Sequence, residues 1–151
     1  MRKLEYYSNK RIKTIGYFIY KLKFHTHSIK LGFSIPINTI GPGLAIVHYG
    51  TIVISPFCRI GANCRIHAGV NVGSTSGKSE SAKIGNNVYL GPGAKIIGGI
   101  SIGDNVVVAA GAVVVRSVDS DVTVGGVPAV VISDNNSSNH LIKATELVGG
   151  K

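Results

Sequence analysis

An all-β fold built as a parallel β-helix is what three features of this 151-residue chain predict. The first is a period of six. Ile54, Ile60, Ile66 and Val72, then Ile84, Leu90, Ile96, Ile102, Val108 and Val114, follow a spacing that belongs to neither an α-helix nor a plain strand. The second is a companion row four residues further on: Cys58, Cys64, Val70, Val88, Ala94, Ile100, Val106, Ala112 and Val118, all small or aliphatic. The third is the punctuation. Gly follows the first-row residue at 61, 73, 85, 91 and 103, and Asn stands two places on at 63, 87 and 105, residue types that tolerate the positive φ of a tight corner. Each hexapeptide therefore reads as one short strand and one corner. Such a unit buries its apolar face only when neighbouring coils stack on it.

Composition agrees with that reading. Ile and Val together number 37 against seven Leu, and stiff β-branched side chains favour a pleated surface. The repeat occupies residues 32–132. Ahead of it, residues 1–31 hold eight of the sixteen bases and one acid, Glu5, with Ile12, Ile15, Ile19 and Leu22 at helical steps. A short basic helical segment is expected there, packed against the first coils or a neighbouring subunit, or resting on an anionic membrane surface. Residues 133–151 include Asn135, Asn136, Ser137, Ser138 and Asn139 in succession and read as a solvated tail. No apolar run approaches the ~20 residues of a spanning helix, and no cleavable signal pattern follows the basic start, so a cytoplasmic location is expected. Of the formal charge of +9, residues 1–31 supply +7. No base-stacking motif accompanies that charge, and nucleic acid is not expected as a partner.

Two interruptions of the period are where chemistry should be sought, because loops on a rigid scaffold collect sites. From Ile46 to Ile54 the step is eight, and His48 falls there. Between Val72 and Ile84 the run from Gly73 to Ser81 has no apolar residue. His67 lies one coil beyond His48 and one position along, within reach as a neighbour. His25, His27 and His140 stand outside the repeat and are given no role. Cys58 and Cys64 fall in the buried row, which suits small apolar side chains rather than a disulfide framework or a zinc site.

The pattern Ile-Gly-x-x-(small)-x resembles the hexapeptide-repeat acyltransferases, and the stretch 41–132, about three fifths of the chain, resembles their serine O-acetyltransferase branch with its polysaccharide-modifying relatives. The matching pieces are Gly41 to His48, Gly50 to Ile54, the loop from Gly73 to Lys78, Ala82 to Gly85, Gly91 to Ile96, Ala110 to Val114, and Gly126-Val127-Pro128-Ala129. The resemblance implies a left-handed β-helix with three hexapeptides per triangular coil, about five to six coils in all, assembled as a homotrimer. It implies acetyl-CoA as co-substrate and His48 as the base that takes the acceptor hydroxyl's proton, a task suited to an imidazole at neutral pH. It further implies that the corners Gly91, Gly93 and Ala94 and Ala109, Ala110 and Gly111 line the pantetheine arm, with Lys78 nearby. His67, Ser74 and Glu80 are candidates for the acceptor side. Lys83, Lys95 and Arg116 join Lys78 as candidates for the phosphates, since Val130 stands where the branch often has a base.

Three features of the serine-specific pattern are absent, at four positions. Val47 replaces the acid that meets the substrate ammonium. Glu80 and Ser81 replace an Arg-His pair that meets its carboxylate, and Ser34 aligns with the acid that orients the histidine. By subtraction the acceptor is expected to be a sugar hydroxyl of a cell-surface polysaccharide, with serine O-acetylation or a non-catalytic scaffold as the alternatives. A histidine-bound metal hydratase is not expected, because no two repeat histidines are five residues apart.

Overall fold

The computed structural model describes residues 1–75 and 79–141. Strands of two or three residues, each ended by a corner, stack into three sheets. The first sheet joins Phe33–Ser34, Ile52–Ile54, Asn71–Gly73, Lys95–Ile97 and Val113–Val114 in parallel. The second joins Arg59–Ile60, Lys83–Ile84 and Ser101–Ile102. The third runs Ala45–Ile46, Arg65–Ile66, Tyr89–Leu90, Val107–Val108 and Thr123–Gly126, with Ala129–Ser133 antiparallel at its end.

Register shows how the period becomes a prism. Ile84 pairs with Ile102, Leu90 with Val108 and Ile96 with Val114, so one coil is three hexapeptides, one for each sheet. Across the polar loop, Ile60 pairs with Ile84, Ile66 with Leu90 and Val72 with Ile96. The loop therefore adds the length of one hexapeptide and leaves every inward residue inward, because a shift by a single residue would have turned the apolar set outward. Both aliphatic rows fill the interior: Ile54, Ile66, Val72, Leu90, Ile96, Val108 and Val114 are buried, and so are Cys58, Cys64, Val70, Val88, Ala94, Val106 and Ala112. Burial pushes both thiols up to about 12, which keeps them protonated at neutral pH.

Corners stack as well as strands. Asn63, Asn87 and Asn105 take φ of 57°, 55° and 59°. Their side chains form a ladder, with Asn63 donating to Asn87 at 3.1 Å, Asn87 to Asn105 at 2.9 Å and Asn105 to Asp121 at 2.9 Å. The amide supplies both the left-handed tolerance and a donor and acceptor for the coils on either side.

The amino-terminal segment is two helices where one was expected: α1 (Arg2–Asn9) and α2 (Ile15–Leu31), separated by a left-handed Arg11 with φ 54°. α1 closes the open end of the stack. Leu4 is buried, and the Arg2 guanidinium donates to the carbonyls of Ile40 and Gly41. Arg2 also pairs with Glu5 at 2.9 Å, and Glu5 accepts the Asn38 N–H at 2.8 Å. A terminal coil needs such a cover because its apolar rim and unpaired backbone have no neighbour. α2 ends at Gly32, φ 73°, and turns an aromatic side inward. Tyr20 stacks on Tyr7 at 5.8 Å, and Tyr17 and Phe24 line a cleft of about 450 Å³ with Leu4, Phe33 and Ile35. Ile15, Ile19 and Leu22, the residues whose spacing predicted the helix, face solvent.

At the other end, part of the stretch expected to be solvated packs back on the coils. Ser133 completes the last strand, and buried Ser137 donates its N–H to the Asn105 carbonyl at 2.9 Å and its hydroxyl to the Asn87 carbonyl. Among the described residues, no helix is long and apolar enough to cross a membrane.

Candidate active site

The first four strands of the third sheet each lead into the first sheet through the same edge of the prism. His48, His67 to Gly69, Gly91 to Ala94 and Ala109 to Ala112 therefore rise along one column. The glycines there have a structural reason: Gly69, Gly93 and Gly111 take φ of 79°, 72° and 67°, where a side chain is strained. At Gly111 a Cβ would meet nothing within 4 Å, so backbone lies open at that corner. Gly91 and Ala94 are buried on this edge, Gly93 and Ala109 half-buried, and Ala110 and Gly111 exposed.

His48 is exposed on the irregular step, with Gly50 at φ 138° turning the chain into the first sheet. Among the described residues no hydrogen bond holds its ring. Ser34, aligned with the orienting acid, instead lies in the first strand of the first sheet, paired with Val53. The neighbour of His48 is His67, edge-on with ring centroids 6.3 Å apart. The row continues from His67 to Tyr89 at 5.0 Å and from Tyr89 to His140 at 5.0 Å. Arg65 closes it by donating to the His140 carbonyl at 2.8 Å. His67 Nε2 is buried without a partner. Burial first, then the Arg65 guanidinium and His48, hold the His67 pKa below 6.5, so a neutral imidazole stands beside His48 at neutral pH.

Tyr89, Arg65 and His140 were not singled out from sequence. Tyr89 and Arg65 share an outward column because each immediately precedes a first-row residue, which was a readable signal. His140 comes from beyond the repeat, and no period could have placed it.

Ser74 and Glu80 do not join His48. They lie where the first sheet passes to the second: Ser74 Oγ is 3.3 Å from Ser55 Oγ, and exposed Glu80 flanks Gly99. Lys78 lies outside the described residues. Lys95 is on the His48 edge with its ammonium donating to the Gly69 carbonyl at 2.6 Å. Lys83 and Arg59 share a shallow groove of about 520 Å³ on the second sheet, and Arg116 is exposed. No three His, Cys, Asp or Glu side chains gather among the described residues in a way that could hold a metal.

Known proteins match this arrangement. Residues 81–116 fit the bacterial transferase hexapeptide (six repeats) family, and residues 58–76 the hexapeptide repeat of succinyl-transferase. A serine acetyltransferase of Synechococcus elongatus is 42% identical over 116 residues, covering 74% of this chain and 47% of that protein. One from Staphylococcus xylosus is 41% identical over 99 residues, covering 64% of this chain and 45% of its own. The chain thus spans about half the length of the curated relatives it matches. Among solved structures, serine acetyltransferase from Brucella abortus in complex with coenzyme A superposes with a TM-score of 0.73 at 33% identity, over 89% of this chain and 54% of that one. The Neisseria gonorrhoeae enzyme in complex with serine gives 0.69 at 34% identity, over 85% and 52%.

These relatives overturn the sugar acceptor expected from Val47, Glu80 and Ser81. That expectation treated three side chains as the only groups able to hold an amino acid, yet backbone carbonyls accept from an ammonium, and N–H groups donate to a carboxylate, just as side chains do. The six-residue period, the three-sheet prism and the serine acetyltransferase relatives lead to one assignment: this chain belongs to the hexapeptide-repeat transferases, in the serine acetyltransferase branch.

Proposed function

We propose that this chain transfers the acetyl group of acetyl-CoA to the side-chain hydroxyl of L-serine. The observation that carries the reading is an exposed His48 on the same edge as the Gly91 to Ala94 and Ala109 to Gly111 corners, the latter open at Gly111, in a chain 42% identical to a serine acetyltransferase. The extended pantetheine arm would run along that edge and pair with its backbone groups. His48 takes the hydroxyl proton as the oxygen attacks the thioester carbonyl. The tetrahedral intermediate then collapses, the C–S bond breaks, and His48 returns the proton to the CoA thiolate. Transfer is direct, since both cysteines are buried and held protonated.

The fold is read as left-handed and the assembly as a trimer. Ser74 and Glu80 sit on a different edge from His48, so a site that uses both would be completed by the loop of an adjacent copy. In a thiol-release assay with acetyl-CoA, L-serine should liberate CoA well above the hydrolysis background while simple sugars do not. Background release alone with L-serine would reject the acceptor, and failure of acetyl-CoA to bind would reject the enzyme.

A further inference from the structure

α2 is apolar on two opposite sides, and only one of them is covered. At 100° per residue, Tyr17, Tyr20 and Phe24 share the side that meets α1 and the first coil, while Ile15, Phe18, Ile19, Leu22 and Ile29 share the opposite side. The second set is bare: Ile15 is 80% exposed, Phe18 58%, Leu22 67% and Ile29 68%. An apolar stripe usually faces a core, so this one, about 20 Å long, lacks the medium it fits.

Charge selects that medium. The same geometry sets Lys21 and His25 along one border of the stripe and Lys23 and Lys30 along the other, all exposed. α2 carries no Asp or Glu, and none occurs between Glu5 and Glu80. Two copies meeting through this stripe would bring lysine borders together with no carboxylate on the helix to pair them, which disfavours self-association. An anionic phospholipid surface satisfies both parts, taking the aliphatic side chains among its acyl chains and the lysines at its headgroups.

We propose that α2 is an interfacial helix that docks this protein on anionic phospholipid bilayers, with Ile15, Phe18, Ile19, Leu22 and Ile29 inserted and Lys21, Lys23 and Lys30 at the headgroups. The docking is independent of the acetyl acceptor.

The test is co-sedimentation of the full chain with phosphatidylcholine vesicles containing or lacking phosphatidylserine, beside the double variant Phe18→Glu/Leu22→Glu and the charge variant Lys21→Glu/Lys23→Glu. Both sets are exposed, so circular dichroism and the thermal midpoint should match the parent. The expected result is binding to phosphatidylserine vesicles only, weakened by 0.5 M salt and reduced at least about tenfold in each variant. CoA release with soluble L-serine should be the same in all three proteins, which separates a failure of docking from a failure of the proposed activity. No binding of the parent, or equal binding to uncharged vesicles, would overturn the proposal. So would a parent that ignores vesicles while Phe18→Glu/Leu22→Glu lowers its solution mass, the mark of a contact between copies.

Discussion

The repeat and the amino-terminal helices solve the burial problem in opposite ways. In the repeat every coil is covered by the next, so Leu90 and its row are sealed by identical geometry above and below. α2 is covered once, by a single aromatic side, and has no successor to cover the other. Charge divides along the same line, since residues 1–31 supply +7 of the +9. A stacking fold satisfies itself internally and leaves its edges for chemistry, whereas a cap satisfies one neighbour and presents the rest of its surface to something else.

Leu90→Ala should test that contrast most severely. Leu90 is fully buried between Ile66 and Val108, so truncation leaves a cavity that the stacked coils cannot close, and denaturant unfolding should report a loss of about 2–5 kcal/mol. A loss below about 1 kcal/mol would mean the interior is loosely packed. Asn87→Ala comes next. It removes two rungs of the ladder and puts alanine at a φ of 55°, for an expected cost of about 1–3 kcal/mol by the same measurement. Asn87→Gly, freed of the backbone penalty, should cost less.

A smaller effect separates the ring row from the rest by pH. The folded pKa of His67 lies below its unfolded value of 6.5, so the unfolded state binds more protons, and stability falls as pH drops through 6.5 toward the folded value. His67→Gln should flatten that part of the stability profile, and an unchanged slope would remove the effect of burial on this ring. Smallest of all, Leu22→Ala on α2 should change stability in solution by less than about 0.5 kcal/mol, since the side chain is exposed. A cost near that of Leu90→Ala would show the outer side of α2 to be packed.

Legibility followed the same division. The period located both buried rows and the asparagine corners, because stacking demands an aliphatic residue every sixth position and a left-handed corner between. It also drew attention to His48, which falls where the six-residue step is broken. Apolar spacing announced a helix at Ile15, Ile19 and Leu22, yet spacing marks a side without saying what covers it, and here the inward side proved aromatic. The break at Arg11 left no mark, because it depends on one positive φ at a residue that usually avoids it. On the site, counting residues gives order along the chain and not which edge a loop lies against, so Ser74 and Glu80 were grouped with His48 although they occupy another edge. The acceptor was misread for a different reason: absent side chains were counted, and backbone groups were not.

The proposed acetyl transfer depends on His48 and on an edge that would bind the donor through backbone groups. Turnover of His48→Ala with acetyl-CoA and L-serine, measured beside its affinity for acetyl-CoA, tests this most directly. A fall of about 10²–10⁴ in turnover is expected, with donor affinity changed little. Turnover equal to that of the parent would contradict the dependence on His48.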